Sequence, residues 1–380
     1  MQDLQRTDYV FVNNIRFVAM ISIIAVHAHF LTYHEDLSFL PSLVLLQAFK
    51  FGTICFFMIS GFLLGGQLLS RPPGEYLRRR VNSTFAPWLF WATLFIVLLT
   101  FKDAALGRLT LAEIGKNLID TLFFTNFWFV PNFLLALTML LLLRRWFERP
   151  WLGAALLGLT LFYSANIYLR WLPTEHTTAL LGFVFYLWLG VQASRHAGPL
   201  IAAVRRLPWP LLIVTVGATW ALALFEGLQV RAHSAPDVLN TLRLSNQLFS
   251  LAVFAALLKF DCPLWPRWMD VRRHTFGLFL SHWLVLTVCI DLLTVVGGQL
   301  TGVGRAEFAA NPGSYIQHPA TRLALWAAMF VVVYGVSFVL TRFLARSALW
   351  SWTVGAGATS RASGEQRLPG THTQTSGGHD

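Results

Sequence analysis

Long apolar stretches that hold almost no Asp, Glu, Lys or Arg recur along this 380-residue chain and constrain its fold more than any other feature. A helix needs about 20 such residues to cross the hydrocarbon core of a bilayer. The stretches are centred near residues 17–33, 42–69, 84–101, 122–143, 151–169, 176–194, 209–225, 240–258, 274–297 and 322–343. They predict an all-α integral membrane protein with about ten transmembrane helices.

Composition supports this membrane assignment. Hydrophobic residues make up 56% of the chain and charged residues only 12%, which is about half the charged share of a typical soluble domain. These values exclude a disordered chain, a secreted disulfide scaffold and an ordinary soluble enzyme. The cysteines, Cys55, Cys262 and Cys289, are too few and too widely spaced to predict a disulfide framework or a metal site.

The basic residues alternate between the loops that connect the predicted spans. One set of loops, together with both termini, holds 19 Lys and Arg residues, and the other set holds 8. Because cytoplasmic loops are enriched in Lys and Arg, the alternation predicts that both termini lie in the cytoplasm. The net charge of +11 is then an effect of membrane topology and does not indicate a nucleic-acid partner.

The chain is predicted to form one membrane domain with a short tail. Residues 1–345 hold all the predicted spans and form the transmembrane domain. Residues 346–380 are predicted to be a disordered cytoplasmic tail, because most of this segment is rich in Gly, Ser, Thr, Gln and His. The first ten residues are mixed in charge, and no small-residue cleavage site follows, so no cleaved signal peptide is predicted.

Ionisable side chains inside apolar spans are costly, which makes them candidates for function. Arg16 and His27 are eleven positions apart, which is about 20° past three full helical turns and roughly 16 Å along the axis. They therefore share one face of the first helix. Arg16 alone also suits an interfacial anchor that sets topology, and His27 alone also suits a polar contact between helices.

Further candidates lie on other spans and in the basic loop after the second span. They are Lys50, Ser60, Gly61, Arg78, Arg79, Arg80, Trp128 and His282. The arginine triplet suits either phosphate binding or a topology signal. The Ser-Gly pair suits a ligand or close helix packing, and the Trp suits an aromatic belt. Arg243 and Asp291 lie near the outer ends of their spans and could pair with each other, and such a pair would be structural.

Several of these residues occur in the order of a known family. The chain has Arg16, ten residues, then His27, followed by Phe57-Met58-Ile59-Ser60-Gly61-Phe62-Leu63-Leu64 and a basic loop before Pro87. Together with Trp128-Phe129 and Gly277-Leu278-Phe279-Leu280-Ser281-His282, this arrangement resembles the acyltransferase 3 family over residues 9–345. Two departures are Thr84, at the place of an expected arginine, and the segment Arg342-Phe343-Leu344-Ala345-Arg346, at the place of an expected Glu-x-Pro.

The resemblance implies a multi-pass enzyme of the bacterial cytoplasmic (inner) membrane. It would move an acyl group, usually acetyl, from acetyl-coenzyme A to a hydroxyl of a cell-surface polysaccharide or its lipid-linked precursor. The implied partners are this acyl donor, a glycan acceptor, membrane lipids and polysaccharide-assembly proteins. No permanently bound cofactor and no metal are implied.

The resemblance also implies roles for individual residues. Arg78, Arg79 and Arg80 would hold the coenzyme phosphates, and Arg16 would contact the entering donor. His27 would act either as a general base on the acceptor hydroxyl or as a nucleophile that becomes acetylated. The remaining candidates would shape or line the substrate tunnel: Ser60, Gly61, Lys50, Trp128 and His282.

Two other classes of protein remain compatible with the sequence. A multi-pass transporter or exporter of a glycan or small molecule would also have about ten spans with buried ionisable groups. Transporters often contain internal repeats, and none is evident between residues 1–190 and 191–345. A membrane component of polysaccharide assembly without chemistry of its own is the second alternative.

Overall fold

The computed structural model describes residues 10–29, 40–68, 72–233, 237–310 and 312–356. Within these ranges the chain forms helices and no β-strand, which confirms the all-α prediction. The α-helices are α1 (Val10–His27), α2 (Leu40–Ala48), α3 (Gly52–Leu68), α4 (Pro73–Arg80), α5 (Ala86–Ala105), α6 (Leu111–Phe124), α7 (Phe129–Leu142), α8 (Pro150–Leu169), α9 (Val184–Arg195), α10 (Ala197–Arg206), α11 (Trp209–Ala232), α12 (Leu244–Leu258), α13 (Val271–Thr301), α14 (Arg305–Ala310), α15 (Pro312–Tyr315) and α16 (Pro319–Arg346).

The described ranges contain seven helical segments long and apolar enough to cross a membrane, and eight if a bent pair counts as one span. That pair joins Leu111–Phe124 to Asn126–Leu142 with a bend of 64°. Two of the ten predicted spans contain only short helices, α9 with 12 residues and α12 with 15. At 1.5 Å per residue they reach about 18 and 22 Å, less than the thickness of about 30 Å of the hydrocarbon core.

The two short helices begin late because the backbone before each of them is unwound. Residues 174–183 and 237–243 form turns instead of α-helix. The amide Nδ2 of Asn240 donates a hydrogen bond to the carbonyl oxygen of Thr174 at 2.5 Å, which joins the two segments. Irregular backbone is tolerated in a membrane protein where the protein buries it or where it lines a cavity. Hydropathy alone predicted regular spans here and missed these breaks.

Helix α1 lies at the centre of the bundle. In its most apolar window 61% of the residues are buried, compared with 17% in α11 and 22% in α16, whose exposed apolar faces suit contact with lipid. Ile15 and Ala19 join one hydrophobic cluster with residues of α3, α7 and α9. Met20 and Ile24 join a second cluster with residues of α5, α13 and α16. Helix α1, with its candidate residues Arg16 and His27, therefore lies between the two hydrophobic clusters.

Helices α3 and α9 cross closely at two glycines. A Cβ atom placed on Gly61 would fall against the carbonyl oxygen of Leu187, and one on Gly190 would fall against that of Met58. Small residues allow such close approach of helix backbones. The structure therefore gives Gly61 a packing role, whereas its neighbour Ser60 lines a cavity.

The predicted pairing of Arg243 with Asp291 is wrong, because each has nearer partners. Asp291 accepts hydrogen bonds from Lys102 at 2.7 Å and from Arg305 at 2.9 Å. Arg243 is fully buried and donates to oxygens of α2, α11 and the unwound segment before α12, which belong to Gln47, Ala223 and Asn240.

The packed domain extends past its predicted end at residue 345. After α16, a 3-10 turn at Ser351–Val354 returns to the bundle. Trp91 donates from Nε1 to the carbonyl oxygen of Thr353 at 2.9 Å, and Val354 is buried. The boundary at residue 346 is therefore wrong, because residues 347–356 are part of the fold. The rest of the predicted tail, residues 357–380, lies outside the described residues.

Candidate active site

A cavity of about 210 Å³ lies beside the first half of α1. Its lining includes three arginines from three different helices, Arg16 of α1, Arg80 of α4 and Arg272 of α13. Ser60 and Thr84 add hydroxyl groups to the same wall. Several guanidinium groups around one cavity suit a polyanion, because they form charge-assisted and often bidentate hydrogen bonds with phosphate.

The predicted arginine triplet is divided by the structure. Arg80 lines the cavity with Arg16. Arg79 is exposed and pairs with Glu75 at 2.8 Å, and Arg78 is also exposed. Of the three predicted phosphate-binding residues, Arg80 is therefore the one that lines the same cavity as Arg16.

A π-helical turn, Val81–Phe85, joins α4 to α5 directly after Arg80. Single π turns are frequent at functional sites, because the extra residue changes which side chains face one direction. Arg80 and Thr84, one on each side of the widened turn, both line the cavity. Thr84 stands where the family resemblance led us to expect an arginine, so this position contributes a hydroxyl group and no charge.

At the other end of α1, His27 meets His282 of α13. Their rings stack with 5.2 Å between centroids and 3° between planes. Nδ1 of His27 lies 2.9 Å from Nε2 of His282. The ring of Trp283 contacts His27 edge-on at 4.9 Å between centroids. His282 is fully buried, so the pair is held by the surrounding helices and not by solvent.

The partners of His282 determine where the protons of the two neutral rings lie. Nδ1 of His282 is 2.7 Å from the carbonyl oxygen of Phe279, which can only accept, so Nδ1 carries a hydrogen. Nε2 of His282 is then an acceptor, and it accepts from Nδ1–H of His27. This leaves His27 with a lone pair on Nε2. A general base or a nucleophile needs this protonation state.

His27 also lines a second cavity, of about 40 Å³. The polar side chains that line it come from five different parts of the fold and are His27, Lys50, Thr53, Asn126 and His176. Its aromatic lining consists of Phe49, Trp128, Phe129 and Phe279. Of the residues predicted from the sequence, the structure therefore brings His27, Lys50 and Trp128 together here. His282 contacts this group through His27.

The two cavities adjoin at a pair of phenylalanines. Phe129 of α7 and Phe279 of α13 line both cavities, and their ring centroids are 5.3 Å apart. Arg16 lines one cavity and His27 the other, and their separation along α1 is about 16 Å. A long, thin molecule that extends from the arginines through both cavities to His27 would pass these rings.

The cavities contain residues that the sequence did not single out for function. Arg272 lies in the basic segment before the ninth apolar stretch, Asn126 lies within the fourth stretch, and His176 lies at the edge of the sixth. Asp237, which pairs with His176 at 2.7 Å, lies just before the eighth stretch. Each is a polar residue close to the border of an apolar stretch, and that position was the only available signal.

The sequence of this helical domain matches a known protein family. A family described as an acyltransferase domain matches residues 9–342. The chain belongs to the acyltransferase 3 family. The match includes every residue that lines the two cavities of this acyltransferase. No curated protein and no solved structure gives a significant match.

Membership of the acyltransferase 3 family confirms the resemblance found in the sequence and makes the protein a multi-pass membrane acyltransferase. It favours acyl transfer over the transporter alternative. Within the described ranges, no three His, Cys, Asp or Glu side chains come together as ligands for a metal ion.

Proposed function

We propose that this acyltransferase moves an acetyl group from cytoplasmic acetyl-coenzyme A to a hydroxyl of a cell-surface polysaccharide or its lipid-linked precursor, in the bacterial cytoplasmic membrane. The observation that carries this proposal is the Nε2 lone pair of His27, in a cavity that adjoins an arginine-lined cavity. The first cavity then faces the cytoplasm, in agreement with the charge bias of the loops.

The first cavity would bind the donor. Coenzyme A carries several phosphate charges, and Arg16, Arg80 and Arg272 would hold them by charge-assisted hydrogen bonds. The thin pantetheine arm would extend between Phe129 and Phe279. The thioester would then lie near His27, while the charged part of the donor stays beside the arginines.

His27 would serve as the general base. Its Nε2 removes the proton of the acceptor hydroxyl while the hydroxyl oxygen attacks the thioester carbonyl carbon, and a C–O bond forms. The tetrahedral intermediate then collapses, the C–S bond breaks, and the coenzyme thiolate takes the proton from the imidazolium of His27. The products are an acetyl ester and free coenzyme A.

Lys50 would stabilise the negative charge that develops on the carbonyl oxygen. It lines the same cavity as His27, and its side chain is largely buried. A cationic donor aimed at a developing oxyanion in a water-poor site stabilises the transition state more than the ground state. The stacked His282 would keep the ring of His27 in the productive orientation.

Transfer of labelled acetyl from acetyl-coenzyme A to lipid-linked glycan, measured with the full-length protein in membranes, tests the function. A positioned general base contributes about 10²- to 10⁴-fold to rate, so His27→Ala and His27→Gln should lose at least about 100-fold. His196→Ala is a matched control, because His196 is exposed and bonds its own helix through Nδ1. Full transfer by a well-expressed His27→Ala protein would refute the proposal.

A two-step route would use the same lone pair as a nucleophile and form an acetyl-histidine. Rapid quenching after addition of labelled donor without acceptor separates the routes. Label that stays on the protein, is lost in His27→Ala and is released by added acceptor supports the two-step route. Absence of protein-bound label on the time scale of turnover supports direct transfer.

A further inference from the structure

One unwound segment contributes His176 to the lining of the cavity that contains His27, and a second unwound segment contacts the first. Residues 174–183 and 237–243 interrupt the sixth and eighth apolar stretches, and they bring His176 and Asp237 together. Discontinuous helices form the substrate sites of many secondary transporters, because unwound backbone frees polar groups that a regular helix would occupy. The position of His176 is therefore set by a loop–loop contact beside the cavity.

Asp237 fixes the ring of His176. Its Oδ2 atom lies 2.7 Å from Nδ1 of His176 and also accepts the backbone N–H of His176 at 3.3 Å. An ionised carboxylate can only accept hydrogen bonds, so the hydrogen between the two groups is on Nδ1 of His176. Nε2 of the neutral His176 ring is then an acceptor. The ring of Trp128 meets His176 edge-on at 5.7 Å between centroids and restricts its rotation.

Asn126 contributes another acceptor to the same cavity. Its Nδ2 donates to the carbonyl oxygen of Phe279 at 2.6 Å, which fixes the orientation of the amide. Its Oδ1 is buried and has no hydrogen-bond partner within the described ranges. A buried acceptor without a partner costs about 1–3 kcal/mol. The Asn126 side chain is 2% exposed and lines the cavity, so a bound hydroxyl group could satisfy this oxygen.

The available polar groups favour one chemical class of ligand. Three of them are acceptors, namely Nε2 of His27, Nε2 of His176 and Oδ1 of Asn126. Lys50 supplies a donor, and the hydroxyl of Thr53 can donate and accept. A carboxylate has no hydrogen to donate at neutral pH, a phosphate monoester keeps at most one, and an ammonium group would be repelled by Lys50. A hydroxyl group both donates and accepts. The set therefore fits a neutral compound with several hydroxyl groups.

The size of the cavity limits what enters it. A volume of about 40 Å³ has room for about three water-sized groups. The cavity thus accommodates one hydroxyl-bearing edge of a ligand, with the acylated oxygen beside His27 and a second hydroxyl beside His176.

We propose that His176, positioned by Asp237, and Asn126 form an acceptor subsite that binds hydroxyl groups of a neutral sugar beside His27. The inference rests on the proposed acyl transfer for the reaction and adds the class of acceptor and the residues that select it. The residue that removes the proton remains His27, and His176 holds the neighbouring hydroxyl in place.

Binding of sugar probes to the full-length protein in lipid nanodiscs tests the subsite without requiring turnover. Saturation-transfer NMR would use the methyl glycosides of glucose, galactose and mannose as neutral probes and methyl glucuronoside as an anionic probe. We expect at least one neutral glycoside to bind in the wild type and in His27→Ala. We expect His176→Phe and Asn126→Leu to lower its affinity at least tenfold, and His196→Phe to leave it unchanged.

Three results would overturn the subsite: no binding by any neutral glycoside, stronger binding of the glucuronoside, or equal affinity in His176→Phe.

Asp237→Asn, which keeps the volume of the side chain, adds a kinetic measurement with labelled acetyl-coenzyme A. A positioning role predicts a higher KM for the acceptor with an unchanged KM for the donor. A general loss of structure would change both KM values and the unfolding temperature, and would contradict the positioning role. Sugar binding without acetyl transfer in the wild type would refute the proposed function and leave the subsite intact.

Discussion

Replacement of His282 by phenylalanine tests the proton arrangement on which the role of His27 depends. Phenylalanine keeps a flat ring in the stacked position but removes the Nε2 atom that accepts Nδ1–H of His27. Without this acceptor, the His27 ring can move its proton to Nε2. It would then present an N–H group to the acceptor hydroxyl in place of a lone pair.

The size of the effect follows from the lost hydrogen bond. A buried donor without a partner costs about 1–3 kcal/mol. This is the free energy that holds the reactive tautomer of His27 in place. At 1.36 kcal/mol for each tenfold change in rate, the loss corresponds to about 5- to 160-fold in kcat. The KM for acetyl-coenzyme A should not change, because His282 does not line the arginine-lined cavity.

Steady-state transfer of labelled acetyl would be compared for wild type, His282→Phe and His282→Gln. The glutamine side chain offers an amide oxygen to Nδ1–H of His27 and an amide nitrogen to the carbonyl oxygen of Phe279. We therefore expect His282→Gln to recover most of the kcat that His282→Phe loses. Unfolding temperatures of the two variants, measured in the same detergent, control for loss of structure.

Two outcomes would refute the reasoning. Wild-type kcat in His282→Phe would show that the tautomer of His27 does not depend on this contact. Equal loss in both variants, with unchanged unfolding temperatures, would show that the hydrogen-bond acceptor is not the property that matters. A raised donor KM in either variant would place His282 in contact with the donor.

Three further predictions concern the arginine-lined cavity and the packing of the bundle. Arg80→Ala should raise the KM for acetyl-coenzyme A about tenfold or more, because a hydrogen bond to a charged group contributes about 1.5–3 kcal/mol; Arg79→Ala should not, and equal effects would contradict the assignment. Gly61→Ala should lower the unfolding temperature, since overpacking costs about 1–3 kcal/mol; an unchanged temperature would contradict the tight crossing. A chain that ends at residue 346 should unfold at a lower temperature than one that ends at residue 356, because it loses the hydrogen bond of Trp91; equal temperatures would show that the final turn adds nothing.

The relative positions of candidate residues were easiest to predict within a single helix, because helical periodicity fixes them. Arg16 and His27 belong to one regular helix, so their spacing alone predicted a shared face and their axial separation. The contact between His27 and His282 joins residues 255 positions apart, and helical periodicity does not indicate which helices become neighbours.

The breaks in the sixth and eighth stretches and the position of the tail boundary depend on polar contacts. An average hydropathy over a window of residues does not reveal such contacts. The sixth and eighth stretches are apolar overall, but Leu181 adopts a left-handed φ of 61° and donates its N–H to Asn132. Such tertiary contacts favour turns over a regular helix, and His176, in one of these unwound segments, lies 2.7 Å from Asp237 in the other. The tail boundary was misplaced for a similar reason, since the composition of residues 347–356 does not reveal the hydrogen bond made by Trp91.

The phenylalanine pair between the two cavities also has an electrical consequence. If water fills both cavities, most of the membrane voltage falls across the thin layer formed by Phe129 and Phe279. The free energy of an elementary charge that passed this layer would change by about 2.3 kcal/mol for each 100 mV of membrane potential. An acetyl group is neutral and would pass without electrical work, whereas the coenzyme phosphates would not. If the acetyl group alone passes between Phe129 and Phe279, the rate of the proposed transfer should therefore not depend on membrane potential.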